Sequence, residues 1–273
     1  MHVLVHYSEI ALKGKNRQFF AKKLQENIKR AIKGKYNKVR REHDRIIIYL
    51  RPDEDEKYIE KKLKNVFGIE WFAFAYPTDK KIEDVKNEIE KHVTIKRGET
   101  AKIIAKRSDK KFPINSMQIN KELGKFIEKK FFAKISMENP MHKIYVNIGR
   151  NSAYIYSNQV KGLGGLPVGS SGKVLVLFSG GIDSSVAAYM MMKRGAVPYY
   201  LHFHAFRKGE EAMKSKIENI LKILLQYSGS SKIFTIPFYP FQLAVSRAGR
   251  SELVVFRRFM MRIAEKIAKE NGM

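Results

Sequence analysis

The sequence predicts an α+β region followed by an α/β region built on a parallel sheet. Before residue 161, several strands occur in succession between amphipathic helices. From Lys173 onward, continuous apolar strands alternate with single helices, which is typical of a parallel sheet covered on both faces. Between the two regions lies KGLGGLPVGSSG (161–172), whose glycine, proline and serine content indicates a linker or domain junction.

The first predicted domain covers residues 1–77. Strands are predicted at 2–9, 39–50 and 69–77, and helices at 16–33 and 53–68. Residues 39–50 form either one bent strand or a hairpin, a turn at 14–15 leads into the first helix, and Pro77 closes the last strand. Read with the hairpin, the order strand, helix, strand, strand, helix, strand favours a compact ferredoxin-like unit.

The second predicted domain covers residues 78–165. Its helices, at 81–93 and 116–131, carry apolar residues at helical spacing. Its strands are predicted at 100–108, 133–137, 143–149 and 152–158.

The third predicted domain covers residues 173–273. Strands at 174–178, 197–204 and 232–238 alternate with helices at 182–194, 210–228 and 251–270. Three strands are few for a doubly wound sheet. We therefore expect a truncated α/β domain, or one completed by another chain.

Positive charge is spread over the whole sequence, which has 53 Lys and Arg against 27 Asp and Glu and a formal net charge of +26. Residues 1–172 carry 37 basic and 20 acidic side chains, and residues 173–273 carry 16 and 7. Such a field attracts polyanions, of which nucleic acid is the commonest in cytoplasm. A lysine-rich thermophile surface would explain many charges of both signs, but not a twofold excess of one sign.

The sequence contains no cysteine and no apolar run long enough to span a membrane. Its N-terminal stretch, MHVLVHYSEIALKGK, lacks the charged start and cleavage site of a secretory signal. We expect a cytoplasmic protein without membrane contact. Without cysteine, this chain cannot form disulfides, thiolate metal sites or a persulfide.

The motif with the clearest chemistry is SGGIDS (179–184), between a predicted strand and a helix. Gly180 and Gly181 let a phosphate approach the backbone, the helix N-terminus attracts it, and Ser179 and Ser184 can add hydroxyl donors. No lysine stands where the motif GxxxxGK[ST] of nucleoside triphosphatases requires one. Asp183 would repel phosphates unless a divalent cation lay between them, so we expect Mg²⁺. The alternative is that Asp183 only starts the helix and the glycines only make a tight turn.

Six segments in order resemble the tRNA 4-thiouridine synthetase (tRNA sulfurtransferase) family over essentially the whole length. They are HYSEIALKGKNRQFF (6–20), RSDKKFPINSMQINKELG (107–124), KGLGGLPVGSSG (161–172), SGGIDS (179–184) with KRG (193–195), HFH (202–204) and RRFMMRIAEKIA (257–268). The resemblance implies a ferredoxin-like domain and an RNA-binding THUMP domain before an adenine-nucleotide α-hydrolase-like (PP-loop) ATP pyrophosphatase domain. It is closest to the archaeal type, which has no rhodanese domain.

This resemblance implies an ATP-dependent enzyme that acts on uridine 8 of tRNA. The uracil O4 would attack the α-phosphorus of ATP, the loop would hold the departing pyrophosphate, and sulfur would displace AMP to leave 4-thiouridine. A role in sulfur transfer for thiamine biosynthesis is also attached to the family. The alternative is a non-catalytic tRNA-binding protein that keeps the loop as a scaffold.

The resemblance places the ATP contacts on the loop, at two strand ends and on the last helix. They are Leu177, Phe178, Ser179, Gly180, Gly181, Asp183, Ser184, His202, Phe203 and Arg257. Asp183 is the expected catalytic residue and Mg²⁺ ligand, whereas Leu177 and Phe178 are expected to be core residues as well. For His202 the alternative is a buried structural pair with His204 on the same strand face, and for Arg257 a basic helix face.

The expected phosphate contacts to tRNA form two basic clusters. They are Lys13, Lys15 and Arg17 at a strand-to-helix turn, and Arg107, Lys110 and Lys111 after a strand. For any single lysine, a solvated side chain is the alternative.

Three departures from the family pattern stand out. Ser185 stands where the family usually has proline, and the sequence stops where a further strand and glycine-containing nucleotide motif are expected. There is neither a cysteine nor a rhodanese-like domain, so we expect sulfur to arrive as sulfide or on a partner protein. The resemblance also implies a homodimer.

Overall fold

The fold is taken from a computed structural model, which describes residues 1–42, 44–109, 112–205, 216–245 and 251–273. Backbone contacts divide the chain into two units. The first comprises Met1–His6, Gly34–Glu60 and Trp71–Lys161, and the second comprises Tyr7–Lys33, Lys61–Glu70 and Gly162–Met273. None of the helices in the described ranges is long and apolar enough to cross a bilayer.

The described strands are β1 (His2–His6), β2 (Tyr36–Arg41), β3 (Arg45–Leu50), β4 (Trp71–Thr78), β5 (Thr100–Arg107), β6 (Lys134–Ile135), β7 (His142–Ile148), β8 (Ala153–Tyr156), β9 (Val160–Lys161), β10 (Lys173–Leu177), β11 (Val197–His204) and β12 (Ile233–Pro237). The described helices are α1 (Arg17–Ala31), α2 (Glu56–Leu63), α3 (Ile82–His92), α4 (Ser116–Phe131), α5 (Ile182–Lys193), α6 (Lys216–Ser228), α7 (Tyr239–Val245) and α8 (Glu252–Glu270). A 3₁₀ helix covers Glu9–Asn16, where only a turn was predicted.

The first unit contains one sheet with the strand order β2-β3-β1-β4-β8-β7-β5-β6, and β9 pairs with β4. β1 lies antiparallel between β3 and β4, with Leu4 opposite Ile47 and Ala73, as the ferredoxin-like prediction requires. Residues 39–50 belong to the β2–β3 hairpin, which decides between the two predicted alternatives.

β4 does not end at Pro77 as predicted but continues to Thr78. β1 pairs with β4 as far as Ala75, and β8 pairs with it from Tyr76. Pro77 therefore has a neighbouring strand on one side only, where a missing N–H group is tolerated. The sheet thus runs from the first predicted domain into the second without a break.

Two apolar clusters stabilise the first unit. One packs α3 and α4 against the sheet through side chains such as Ile89, Leu123, Ile103 and Ile144, all buried. The other lies at the β1–β3–β4–β8 centre of the sheet.

The second unit contains a parallel sheet of order β10-β11-β12, as predicted. α5 and α6 pack on it through Ala188, Met192, Leu221 and Leu224, all buried. The loop predicted before the last helix contains the short helix α7. The predicted helix at 210–228 is described from Lys216.

The segment 161–172, predicted as a linker or domain junction, is well packed. Leu166 and Val168 are buried, and Leu166 donates its N–H to the carbonyl oxygen of Lys193 at 2.9 Å. A Cβ on Gly165 would lie 2.4 Å from that same oxygen, and Gly165 has a φ of +74°. Glycine is needed here because two backbone segments approach closely.

Candidate nucleotide-binding site

The loop between β10 and α5 turns at a glycine that no other residue can replace without strain. Phe178 continues the sheet pairing beyond β10 by donating its N–H to the carbonyl oxygen of Leu201 at 2.8 Å. Gly180 then adopts a φ of +74°, and a Cβ at this position would lie 2.3 Å from Cδ1 of Ile217. The loop geometry therefore depends on glycine at this position.

α5 begins with its amide groups available. Gly181 is the N-cap and has no side chain with which to cap the first amide groups of the helix. The hydroxyl groups of Ser184 and Ser185 donate instead to the carbonyl oxygen of Gly181, at 3.2 and 2.9 Å. A helix leaves its first N–H groups without intrahelical partners, so this N-terminus can bind an anion.

The exposed side chain of Ser179 bonds to the loop and lies close to the first turn of α5. Its Oγ accepts a hydrogen bond from the N–H of Gly181 at 3.2 Å and lies 3.3 Å from Oγ of Ser184. Two hydroxyl groups thus lie together at the entrance to the helix.

Asp183 is the second residue of α5, and its side chain is exposed. A carboxylate in the first turn of a helix is stabilised by the helix dipole, so a purely structural role also fits. Carboxylate and hydroxyl oxygens are donors that suit Mg²⁺, which proteins commonly hold with one or two carboxylates and substrate phosphates. The described part of the chain contains no group of three His, Asp or Glu side chains that would form a metal site by itself.

An apolar cavity of about 500 Å³ opens beside the loop. It is lined by Leu177, Phe178, Ser179, Leu201, Phe203, His204, Ala205, Phe238, Phe256 and Met260. Its volume is typical of small-molecule pockets, and it lies at the carboxyl ends of the parallel strands, where α/β sheets bind ligands.

Of the predicted ATP contacts, Leu177, Phe178, Ser179 and Phe203 line this cavity. Phe178 is 2% exposed and packs edge-on against Tyr200, with ring centroids 5.0 Å apart, so it is also a core residue. Gly180, Gly181, Asp183 and Ser184 lie in the adjoining loop and first turn of α5.

Two predicted ATP contacts, His202 and Arg257, lie neither in the cavity lining nor in the loop. His202 directs Nδ1 to the carbonyl oxygen of Phe178 at 2.7 Å, while the buried His204 lines the cavity. Arg257 is exposed on α8, and its neighbour Phe256 lines the cavity together with Met260, one turn further along the helix.

Sequence reasoning did not identify Leu201, His204, Phe238, Phe256 or Met260 as lining residues. The first three could have been found from the rule that ligands bind at the carboxyl ends of parallel strands, since β11 and β12 end there. For Phe256 and Met260 the only signal was their i, i+4 spacing on a helix, which does not tell which surface they cover.

The predicted RNA contacts fall in both units. In the second unit, the Lys13 ammonium lies 5.1 Å from the ring centroid of Phe20 and the Arg17 guanidinium 5.8 Å from that of Tyr7, while Lys15 is exposed. In the first unit, Arg107 donates from Nη1 to the carbonyl oxygens of Phe112 and Ile114, at 2.9 and 3.2 Å, and so stabilises the segment before α4. Lys110 and Lys111 lie outside the described residues.

Three family models match the chain: the ThiI ferredoxin-like domain at residues 2–73, the THUMP domain at 76–158 and the thiamine biosynthesis protein ThiI at 169–273. A probable tRNA sulfurtransferase from Thermoanaerobacter pseudethanolicus is 39% identical over 274 residues, which is 99% of this chain and 71% of the relative. One from Mycoplasmopsis synoviae is 38% identical, covering 98% of this chain and 70% of the relative.

Fold and site define a nucleotide-binding α/β domain that follows a ferredoxin-like and a THUMP domain. The chain belongs to the ThiI family of tRNA sulfurtransferases.

Solved structures agree with this assignment. A 4-thiouridine synthetase in complex with RNA and ATP matches with a TM-score of 0.84 and 33% identity, over 99% of this chain and 71% of that one. The protein PH1313 from Pyrococcus horikoshii matches with a TM-score of 0.75 and 22% identity, covering 100% of this chain and 99% of that one, which shows the fold alone. The family resemblance and the predicted fold class are thereby confirmed.

Proposed function

We propose that this chain is an ATP-dependent tRNA sulfurtransferase that converts uridine 8 of tRNA to 4-thiouridine and releases AMP and pyrophosphate. The observation that carries the proposal is the available N-terminus of α5, which opens beside an apolar cavity in a chain of this family. The relatives are named as sulfurtransferases, which favours an enzyme over a non-catalytic RNA-binding protein.

The groups at the site fit the needs of an adenylation reaction. The uracil O4 attacks the α-phosphorus of ATP, a new O–P bond forms, and pyrophosphate leaves. The amide groups at the start of α5 and the hydroxyls of Ser179 and Ser184 would hold the departing phosphates, and the cavity would receive the adenine. Sulfur then adds at C4 and AMP leaves with the original oxygen.

Asp183 is the residue that we propose would hold Mg²⁺ when ATP binds. A bound Mg²⁺ would neutralise charge that develops on the pyrophosphate. Asp183 itself would orient the phosphates through the ion, and its exposure leaves it accessible to them.

The sulfur donor and the assembly are also part of the proposal. The sequence contains no cysteine, and we propose that the sulfur comes from sulfide, or from a persulfide on a partner protein with a second thiol on that partner reducing the S–S bond to release the sulfur. A homodimer is the expected assembly. The description of the ThiI model also names thiamine biosynthesis, so sulfur transfer in that process is a second role to test.

The function is tested by incubating unmodified tRNA with the protein, ATP, Mg²⁺ and sulfide, followed by mass spectrometry of the nucleosides. We expect 4-thiouridine with the wild type and at most a trace with Asp183→Ala. Glu56→Ala is the matched control, because Glu56 is also an exposed first-turn carboxylate but lies on α2 in the first unit. Equal thiolation by Asp183→Ala and Glu56→Ala would refute the role of Asp183, and no product with the wild type under any sulfur source would refute the function.

A further inference from the structure

A second, smaller cavity lies in the second unit, between α1, α6 and the segment 61–67. Its volume is about 230 Å³, and none of its lining residues lines the nucleotide cavity. Its lining includes three cations and three amides: Arg30, Lys61, Lys62, Asn27, Asn65 and Gln226. No carboxylate is among the described residues that line it.

Arg30 is held by one side-chain and one backbone hydrogen bond. Its Nη2 donates to Oδ1 of Asn27 at 3.1 Å and to the carbonyl oxygen of Ser228 at 3.0 Å. The next residue, Gly229, has a φ of +77°, and a Cβ there would lie 2.2 Å from Nε of Arg30. Glycine therefore leaves room for the guanidinium, whose Nε and Nη1 make no hydrogen bond within the described ranges.

Two of the three cations that line this cavity, Arg30 and Lys61, form no ion pair within the described ranges. Lys61 is exposed and has no ion pair with any described residue. Glu26, whose charge acts on Arg30, forms its own ion pair with Lys23 at 3.0 Å. Cations that line a concave surface concentrate positive potential there, so the cavity attracts an anion.

The kind of anion follows from the donors and the size. An arginine with free N–H groups, a nearby lysine and amide donors are the groups that bind phosphate esters. Small-molecule pockets usually begin at about 300 Å³, so this cavity admits a phosphate with part of its sugar rather than a whole nucleotide. A phosphate carried on a larger backbone fits these limits.

We propose that this cavity binds a backbone phosphate of the tRNA, with Arg30 and Lys61 as its cationic contacts. The proposal rests on the proposed function, because it takes tRNA as the substrate. It adds a phosphate contact that fixes the RNA on the second unit without reading its sequence.

The test measures tRNA binding to the full chain by filter binding over a range of salt concentrations. Lys61→Ala carries the test, because an exposed lysine without an ion pair can be removed without disturbing the fold. Lys266→Ala on α8 is the matched control, since it removes the same charge from another exposed position. Arg30→Gln is measured beside them, with its folding checked by thermal denaturation.

We expect Lys61→Ala to weaken tRNA binding several-fold more than Lys266→Ala and to reduce the slope of log K against log salt by about 1. ATP binding should remain unchanged. Equal affinity and slope for Lys61→Ala and Lys266→Ala would overturn the proposal.

A second arm titrates inorganic phosphate into the free protein by calorimetry. Phosphate binding that disappears in Lys61→Ala while tRNA affinity stays intact would identify a free-phosphate site and would also overturn the proposal. If the wild type thiolates tRNA but Lys61→Ala and Lys266→Ala bind tRNA equally well, only the proposed role of the cavity is refuted. A wild type that binds no tRNA would refute the proposed function with it.

Discussion

The Nδ1 atom of His202 lies 2.7 Å from the carbonyl oxygen of Phe178, the residue at which β10 passes into the phosphate-binding loop. A ring nitrogen this close to a carbonyl oxygen donates its proton to it. The bond therefore ties β11 to the first residue of the loop. His202 does not line the cavity but positions the loop through the backbone of Phe178. His204, on the same strand, lines the cavity.

We predict that His202→Ala weakens ATP binding without preventing folding. Losing one hydrogen bond to the loop backbone costs about 1 kcal/mol, and if that cost falls on the loop, the affinity for ATP decreases about five-fold. Calorimetric titration with ATP measures this, and urea denaturation measures the stability. His202→Asn is the control, since its amide N–H can replace Nδ1–H. If the His202→Asn variant binds ATP as weakly as the His202→Ala variant, the hydrogen bond does not position the loop.

The two loop glycines should respond differently to alanine. Gly180→Ala combines a left-handed φ of +74° with a contact at 2.3 Å to Ile217, and we expect a loss of about 2–5 kcal/mol of unfolding free energy. Gly181 has a φ of −85°, and its Cβ would meet only Oγ of Ser179, at 3.3 Å. Gly181→Ala should therefore cost about 1 kcal/mol or less.

Urea denaturation of both alanine variants measures the difference. Calorimetric titration with ATP shows how far each loop still binds phosphate. Equal destabilisation by the two substitutions would contradict the assignment of the sharp turn to Gly180.

The loop could be predicted from sequence because its determinants are local. A strand, two glycines and a helix follow one another between Lys173 and Lys193, and each has a recognisable pattern. The parallel sheet could also be predicted, because alternating strands and helices form local patterns in the sequence. The cavity wall could not be predicted this way, because Phe256 and Met260 reach it only through the packing of α8 over the strand ends.

The sequence predicted a linker or domain junction at 161–172 but did not predict how closely this segment packs. Its composition does resemble a linker, yet Gly165 is required by the nearby backbone of Lys193, which is 28 positions further along the chain. Close approach between distant segments leaves no trace in local composition. The continuation of β4 through Pro77 was missed for a similar reason, since it depends on where β1 ends and β8 begins.

The stability of the protein should fall in mild acid partly because of His6. Its ring stacks on Trp71 with centroids 4.0 Å apart and planes 12° from parallel. Burial, together with the charge of Arg45, lowers the pKa of His6 from 6.5 to about 4. The unfolded chain thus binds a proton more readily than the folded one, so this contribution to stability is complete above pH 6.5 and is lost as the pH falls towards 4.

His6→Phe keeps an aromatic ring on Trp71 and removes the titration. Between pH 6.5 and 4, the unfolding free energy of the variant should change less steeply, by up to about 1.4 kcal/mol per pH unit. Urea denaturation followed by the fluorescence of Trp71, the single tryptophan, provides the measurement. Parallel pH profiles for the variant and the wild type would show that His6 is not the group responsible.

Asn27 should be one of the more costly polar residues to remove from the second unit. It is 7% exposed, donates to the carbonyl oxygen of Val168 at 3.0 Å and accepts a hydrogen bond from Arg30 at 3.1 Å. Asn27→Ala leaves a buried carbonyl oxygen without its donor, and we expect a loss of about 1–3 kcal/mol of unfolding free energy. Asn65→Ala is the control, because the amide of Asn65 makes only a longer bond of 3.3 Å to Gln226, exposed to solvent. In urea denaturation, a similar small loss for both variants would mean that the Asn27–Val168 bond does not stabilise the second unit. The orientation of Arg30 would then depend on Ser228 and Gly229 alone.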